Sequence, residues 1–278
     1  MTLVRPIFLV DNLFSPLHYR SHIVSAEEEP AGAEANRFAT LRREDHASPT
    51  TANSDWWLKV ACGQPRAANM LLLWDHNLLG ETLRIEVSDN DTDWQIIFNA
   101  ILPTSPGAGH VDDALGVVTE DGSWLKRFPL RVGTYWRLFV PAMGADQKPE
   151  INGVLGQSYS PSQYDYPYAP STTEFLAEEQ RSDRGVLGRS APVNLRRGAI
   201  TMKMRSDFDY EAARFPIEHR WGDGAPMLVV HDASQAERAV LAVRTGGSLL
   251  GFETDTAWPD GGEGRRMGRL EWVEHDPA

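Results

Sequence analysis

Cysteine is almost missing from this chain: Cys62 is the only one in 278 residues. A single cysteine excludes an internal disulfide, so a chain of this length must hold itself together by apolar burial. Cys62 closes the strand-like run Leu58-Lys59-Val60-Ala61-Cys62 and reads as a small buried apolar residue, not a reactive thiol. Long apolar runs are missing too. None reaches the roughly 20 residues that a bilayer-spanning helix needs, which argues against membrane insertion. The opening Met1-Thr2-Leu3-Val4-Arg5-Pro6 has no small-residue cleavage site and does not read as a secretory signal. Basic charge is in deficit, with 27 Lys+Arg against 39 Asp+Glu and a formal net charge of -12. The deficit is spread evenly: residues 1–157 carry 13 basic against 20 acidic side chains, and residues 158–278 carry 14 against 19. No basic footprint is hidden in the sum, so nucleic acid is excluded as a partner class.

Catalytic signatures are also lacking. There is no G-x-S-x-G elbow, no H-E-x-x-H, no P-loop and no G-x-G-x-x-G following a strand. The glycine cluster Gly246-Gly247-Ser248-Leu249-Leu250-Gly251 has no Lys to hold a phosphate. Asp89-Asn90-Asp91-Thr92-Asp93 resembles a calcium loop only superficially. Counted from Asp89, an EF-hand needs Gly at its sixth place and an acid at its twelfth, where Trp94 and Ala100 stand. A polar hairpin tip is the expectation. His110-Val111-Asp112-Asp113 and His231-Asp232 set imidazole beside carboxylate, but adjacency in sequence does not make ligands converge. The expectations are no enzyme, no cofactor and no resident metal.

What is present is β patterning. Residues 56–62, 69–74, 82–87, 94–101 and 135–140 are short apolar or alternating runs. Turn clusters separate them at 63–65, 77–80, 89–93, 103–109 and 120–122. Residues 26–41 fit either a short helix or an irregular loop. The runs 199–204, 227–231, 239–243 and 270–273 continue the pattern after a different stretch, 158–184, and 208–215 fits one short helix. In 158–184, Tyr159, Tyr164, Tyr166 and Tyr168 alternate with Pro161, Pro167 and Pro170. Proline keeps such a segment extended and tyrosine gives it amphipathic contact area. The expected organisation is an all-β chain: a β-sandwich over 1–157, a Tyr/Pro connector over 158–184 and a second β-rich domain over 185–278.

An ordered set of features in the first 157 residues resembles the discoidin, or galactose-binding-like, family. They are Pro49-Thr50-Thr51-Ala52-Asn53-Ser54-Asp55-Trp56-Trp57-Leu58-Lys59-Val60, Gly63, the run 83–89 followed by Trp94, Tyr135-Trp136-Arg137-Leu138, and Ile151-Asn152-Gly153-Val154-Leu155-Gly156. The resemblance implies a jelly-roll sandwich in which Trp57, Trp94 and Trp136 take core or near-core positions. The family's sugar- or lipid-binding loops vary, so it transfers no binding residue. The opening Val10-Asp11-Asn12-Leu13-Phe14, with Arg66-Ala67-Ala68-Asn69 and the closing Leu270-Glu271-Trp272-Val273-Glu274, is similar to discoidin-like tail-tip and baseplate proteins of tailed bacteriophages. That resemblance implies a virion component, made in the host cytoplasm, whose partners are itself, as a homo-oligomer, and other phage tail proteins. The alternative is a carbohydrate-binding module for receptor recognition or enzyme accessory work, with a host-surface glycan as ligand. Candidate contact residues are the aromatics placed near strand ends, loops and turns: Trp56, Trp74, Trp124, Tyr159, Tyr164, Tyr166, Tyr168, Trp221 and Trp258.

Overall fold

The computed structural model describes residues 7–9, 12–15, 21–32, 34–38, 45–144 and 146–160. Beyond these it describes mainly strands, at 163–164, 172–176, 179–181, 187–189, 193–204, 226–230, 236, 239–253 and 265–274. Among the described residues the regular structure is β, apart from 3-10 residues at Ala35–Arg37 and at Ala236. The 3-10 turn at Ala35–Arg37 is what forms in the 26–41 stretch; the 208–215 stretch lies outside the described residues. The strands divide between two compact units.

The first unit holds β1 (Ile7–Leu9), β2 (Ile23–Ala26), β3 (Trp56–Trp74), β4 (Thr82–Ser88), β5 (Gln95–Ile101), β6 (Val117–Val118), β7 (Trp124–Val140), β8 (Asn152–Gly156) and β9 (Ser158–Tyr159). Two long strands organise it. β3 up to Ala61 pairs with β2 on one side and with the second half of β7 on the other. From Met70 onward β3 pairs with β8 and with the first half of β7. β4 and β5 extend the first sheet, giving the order β2-β3-β7-β4-β5, and β6 adds to β7 in the second. All pairings are antiparallel.

Each long strand changes sheets at an irregularity that proline marks. Cys62, Gly63, Gln64 and Pro65 fall between the pairs Ala61↔Tyr135 and Arg66↔Gly133. Phe128, Pro129 and Leu130 fall between Ala68↔Arg131 and Met70↔Arg127. Proline has no N–H for a ladder, so both prolines sit in exposed bulged stretches where none is required. Gly63 adopts φ +69, a conformation that costs glycine little. The break expected at 63–65 is therefore a bulge inside one 19-residue strand, not a turn between two.

The two sheets enclose one core. From the first come Trp56, Leu58, Val60, Leu83, Ile85, Trp136 and Leu138; from the second come Leu71, Leu73, Trp124 and Leu155. Alternate residues on each strand face inward, as the two-residue period of a strand demands. The glycine at 116 permits close packing at the edge of this core. It has φ +72, and an added Cβ would lie 2.6 Å from the Leu125 carbonyl oxygen and 2.8 Å from Trp124 Nε1.

Two boundaries depart from the expected organisation. β15 (Pro226–Val230) belongs almost wholly to the first unit, which comprises 1–160 together with 227–239 and 277–278. It pairs with β1 through Ile7↔Val230 and Leu9↔Leu228, and Leu228, Val229 and Val230 are all buried. Residues 227–239 thus return to the first unit, so the expected third segment, 185–278, is not one contiguous domain. Within the 158–184 stretch the residues described beyond 160 are strands. β9 pairs with β1, while β10 (Gln163–Tyr164), β11 (Thr172–Leu176) and β12 (Glu179–Arg181) are strands of the second unit. That unit adds β13 (Leu187–Arg189), β14 (Val193–Met204), β16 (Val240–Glu253) and β17 (Arg265–Glu274). β14 pairs with β10, β11 and β17, β17 pairs with β16, and β12 pairs with β13. The Gly246–Gly251 cluster lies within β16, where register shifts at Arg244/Gly246 and Leu250/Phe252 make room for it.

Candidate functional site on the outer face of the five-stranded sheet

The face of β2-β3-β7-β4-β5 turned away from the core carries rows of residues set by the strand register. One row runs Trp57–Phe139–Arg84–Asn99. The next, two residues along each strand, runs Ser25–Lys59–Arg137–Glu86–Ile96. A third runs Ile23–Ala61–Tyr135–Ser88. Successive rows on one face stand roughly 7 Å apart, about the length of one sugar ring. Trp57, Phe139, Tyr135, Arg84, Lys59 and Arg137 are all half-buried, so this face presents aromatic rings among charges.

The charges are organised around the rings. Arg137 Cζ lies 4.0 Å from the Trp94 ring centroid and 5.7 Å from that of Phe139. Its Nε donates to Glu86 Oε2 at 2.6 Å, and Nη2 lies 2.5 Å from the same oxygen. Glu86 is only 4% exposed, so this pair is largely desolvated and Arg137 is what makes burial of the carboxylate tolerable. Lys59 Nζ donates to both Asp91 oxygens, at 3.0 and 2.7 Å, and lies 5.1 Å from the Trp57 centroid. Arg84 Cζ lies 5.0 Å from the Phe139 centroid. Cations over aromatic faces are attracted by the ring quadrupole, so each ring is fixed in place by a neighbour.

Asp91 comes from the acidic turn 89–93, which forms the hairpin tip that its sequence implies. Asn90 organises it: Oδ1 accepts the N–H groups of Thr92 and Asp93, and Nδ2 donates to Asp93 Oδ2 at 2.6 Å. Among the described residues no three His, Cys, Asp or Glu side chains gather as metal ligands. The His110–Asp112 pair is a loop clamp. Arg127 Nε and Nη2 donate to the two Asp112 oxygens at 2.6 and 2.5 Å, and His110 Nδ1 lies 3.3 Å from Oδ2. The Arg127 hydrogen bonds, against the opposing effect of burial, hold the Asp112 carboxyl below the usual carboxylate range. Burial pushes the Lys126 ammonium down, while Nζ donates to the Asp113 carbonyl at 2.7 Å. His231 and Asp232 lie outside the described residues.

Three expected contact aromatics are corrected. Trp56 is 1% exposed, Trp74 4% and Trp124 0%, so none can touch a ligand. Trp56 shares the inward parity of Leu58 and Val60 and fills the space between the sheets. Trp124 packs against Phe98 with the rings tilted at 44° and their centroids 5.5 Å apart, and donates Nε1–H to the Leu115 carbonyl at 2.9 Å. Trp74 is buried on the four-stranded sheet opposite Asn152. Of the tryptophans expected at core or near-core positions, Trp136 is fully buried, while Trp57 and Trp94 are half-buried on the outer face. Tyr159 lies in β9 opposite Phe8 and Tyr164 in β10 opposite Met202, with side chains outside the described set. Tyr166, Tyr168, Trp221 and Trp258 lie wholly outside the described residues.

Sequence reasoning missed Arg84, Glu86, Lys59, Arg137 and Phe139 as a group. The available signal was parity. Within 56–62 the set Trp56, Leu58, Val60, Cys62 is wholly apolar, whereas Trp57, Lys59, Ala61 is not, which assigns Trp57 to the outer side.

No family model matches the sequence, and no curated protein does. Among solved structures, similar chains include a GH29 fucosidase of Ruminococcus gnavus at 9% identity and TM-score 0.41, covering 54% of this chain and 27% of the fucosidase. The chain therefore matches about a quarter of that enzyme's length. Chitosan-binding module 1 from a Paenibacillus chitosanase/glucanase is similar at 16% identity and TM-score 0.37, over 55% of this chain and 98% of the module. The family 32 carbohydrate-binding module of Streptococcus pneumoniae EndoD is similar at 14% identity and TM-score 0.38, over 53% of this chain and 99% of that one.

Proposed function

We propose that this chain is a carbohydrate-binding protein that acts without catalysis through the outer face of its five-stranded sheet. The observation that carries the reading is the row Trp57–Phe139–Arg84–Asn99, set beside Lys59, Arg137 and Trp94 on a half-buried, solvent-facing sheet. A sugar ring offers an apolar C–H face and a rim of hydroxyls. Fixed aromatic rings match the first, and charged or amide side chains match the second. Glu86 and Asp91 are each neutralised by a bonded cation, which suits binding better than acid–base chemistry. The test is a glycan array with the purified chain. Saturable binding that disappears in Trp57→Ala and Trp94→Ala, and survives in Gly122→Ala, is expected. A blank array at high protein concentration would end the reading.

A second reading, assembly into a phage tail tip or baseplate, is favoured by a different observation. β5 is an edge strand of uncharged sequence, QIIFNAI, with Ile96 and Ile101 exposed. Such an edge is a template for pairing with another chain. A defined oligomer in solution supports this reading, and a strictly monomeric protein without virion association refutes it.

A further inference from the structure

Of the cations Lys59, Arg84 and Arg137 on the outer face, Arg84 is the one that no described carboxylate pairs. Arg137 is paired with Glu86 and Lys59 with Asp91. Among the described residues Arg84 makes no ion pair and no side-chain hydrogen bond, and its guanidinium lies against the Phe139 ring. Position adds to the charge. Arg84 is flanked in its own row by Phe139 and, across the neighbouring strand, by the exposed amide of Asn99. Trp57 lies on the far side of Phe139 in that row.

An aromatic-backed guanidinium keeps its planar fork of donors pointed in a limited set of directions, which suits a planar anion taken in two parallel hydrogen bonds. Partial burial raises the cost of leaving that charge unpaired, and Arg84 Nε is already buried without a hydrogen-bond partner. A ligand that lies along the row over Phe139 and Trp57 brings a ring substituent to Arg84, because neighbouring strands are about 4.8 Å apart.

We propose that the ligand is an anionic sugar whose carboxylate is bound by Arg84, while Phe139 and Trp57 support the ring and Asn99 bonds a neighbouring hydroxyl. The proposal rests on the carbohydrate reading above and narrows it to uronate-bearing glycans. The shared chemistry is an anion on a sugar ring, which a sulfate ester also supplies.

The experiment measures binding of the full chain to a galacturonate trisaccharide, its methyl ester and a sulfated galactose trisaccharide by calorimetry. The ester keeps the shape and removes the charge. The acid is expected to bind roughly tenfold or more tightly than the ester, the value of one charge-assisted bidentate contact. Arg84→Gln should abolish that preference by bringing acid and ester to the same affinity, with Arg84→Lys intermediate because it keeps the charge and loses the fork. Equal binding of the sulfated sugar supports anion selection with sulfate as a second source. Equal affinity for acid and ester, or a preference that survives Arg84→Gln, overturns the proposal while the carbohydrate reading stands. Binding of none of the three, with a blank array, overturns both.

Discussion

Arg137 stands over the Trp94 ring at 4.0 Å while the same guanidinium grips Glu86, a carboxylate almost wholly removed from water. One side chain thereby anchors the residue just before β5 to the middle of the sheet and neutralises the buried acid beneath it. The arrangement couples the surface aromatic to the stability of the sandwich, and it can be broken from either side.

Removing the acid is the severe change. Glu86→Ala leaves Arg137 half-buried without its partner and is expected to cost about 3 kcal/mol. Trp94→Ala removes only the stacked ring and should cost about 1 kcal/mol. Urea denaturation of the two variants gives the comparison, and equal costs would show that the ion pair is not the anchor.

The correction of the tryptophans is checked by an adjacent pair. Trp56→Ala empties core volume and is expected to destabilise by about 3–5 kcal/mol. Trp57→Ala, one residue along and on the other face, should cost less than about 1.5 kcal/mol and weaken glycan binding instead. Thermal unfolding alongside a binding titration separates the two effects.

A pH dependence follows from His76. Burial pushes its imidazole down from the ordinary 6.5 to about 4, outweighing the opposing pull of Asp121. Nδ1 accepts the Leu78 N–H at 3.1 Å, which the neutral ring does and the doubly protonated ring cannot. In the unfolded chain the ring takes up its proton near pH 6.5, earlier than in the folded one. Stability is therefore fully present above that pH and falls between pH 6.5 and 4, by up to about 3 kcal/mol. His76→Asn, whose side-chain oxygen can accept the same Leu78 N–H, should flatten this part of the profile. Chemical denaturation at pH 7.5, 6 and 4.5 measures it, and an unchanged slope in the variant would assign the effect elsewhere.

Two glycines with similar backbone angles should respond differently. Gly122, at φ +85, has nothing within 4 Å of an added Cβ, so Gly122→Ala costs about 1 kcal/mol of left-handed strain. Gly116→Ala adds collisions with the Leu125 carbonyl and the Trp124 indole. It should cost about 3 kcal/mol or more and release the Trp124–Leu115 hydrogen bond. Tryptophan fluorescence during unfolding reports both.

Much of the architecture was legible in the chain. Runs rich in β-formers, with Gly, Pro, Asn and Asp between them, predict an all-β protein, and the structure is one. Cys62 is buried as its run implies. The acidic turn 89–93 is a hairpin tip because Asn90 satisfies its backbone locally, a pattern that needs no distant partner. The site was harder. The resemblance implies core or near-core places for Trp57 and Trp94, whereas the apolar set 56, 58, 60, 62 puts Trp57 on the outer side. Arg84, Glu86 and Arg137 lie on strands joined only by sheet register, and no local spacing announces them.

By itself the sequence determined the β class, the places where strands are interrupted, and a cohesion that owes nothing to internal disulfides. These are local matters of alternation, turn chemistry and a single cysteine. Only the tertiary structure decided that β3 and β7 each serve two sheets, that residues 228–230 return to pair with β1, and that no described carboxylate pairs Arg84. The physical reason is that strand pairing joins residues far apart in the chain. Whether a charge is matched depends on which strand lands beside it, and that choice belongs to the packing of the whole sandwich.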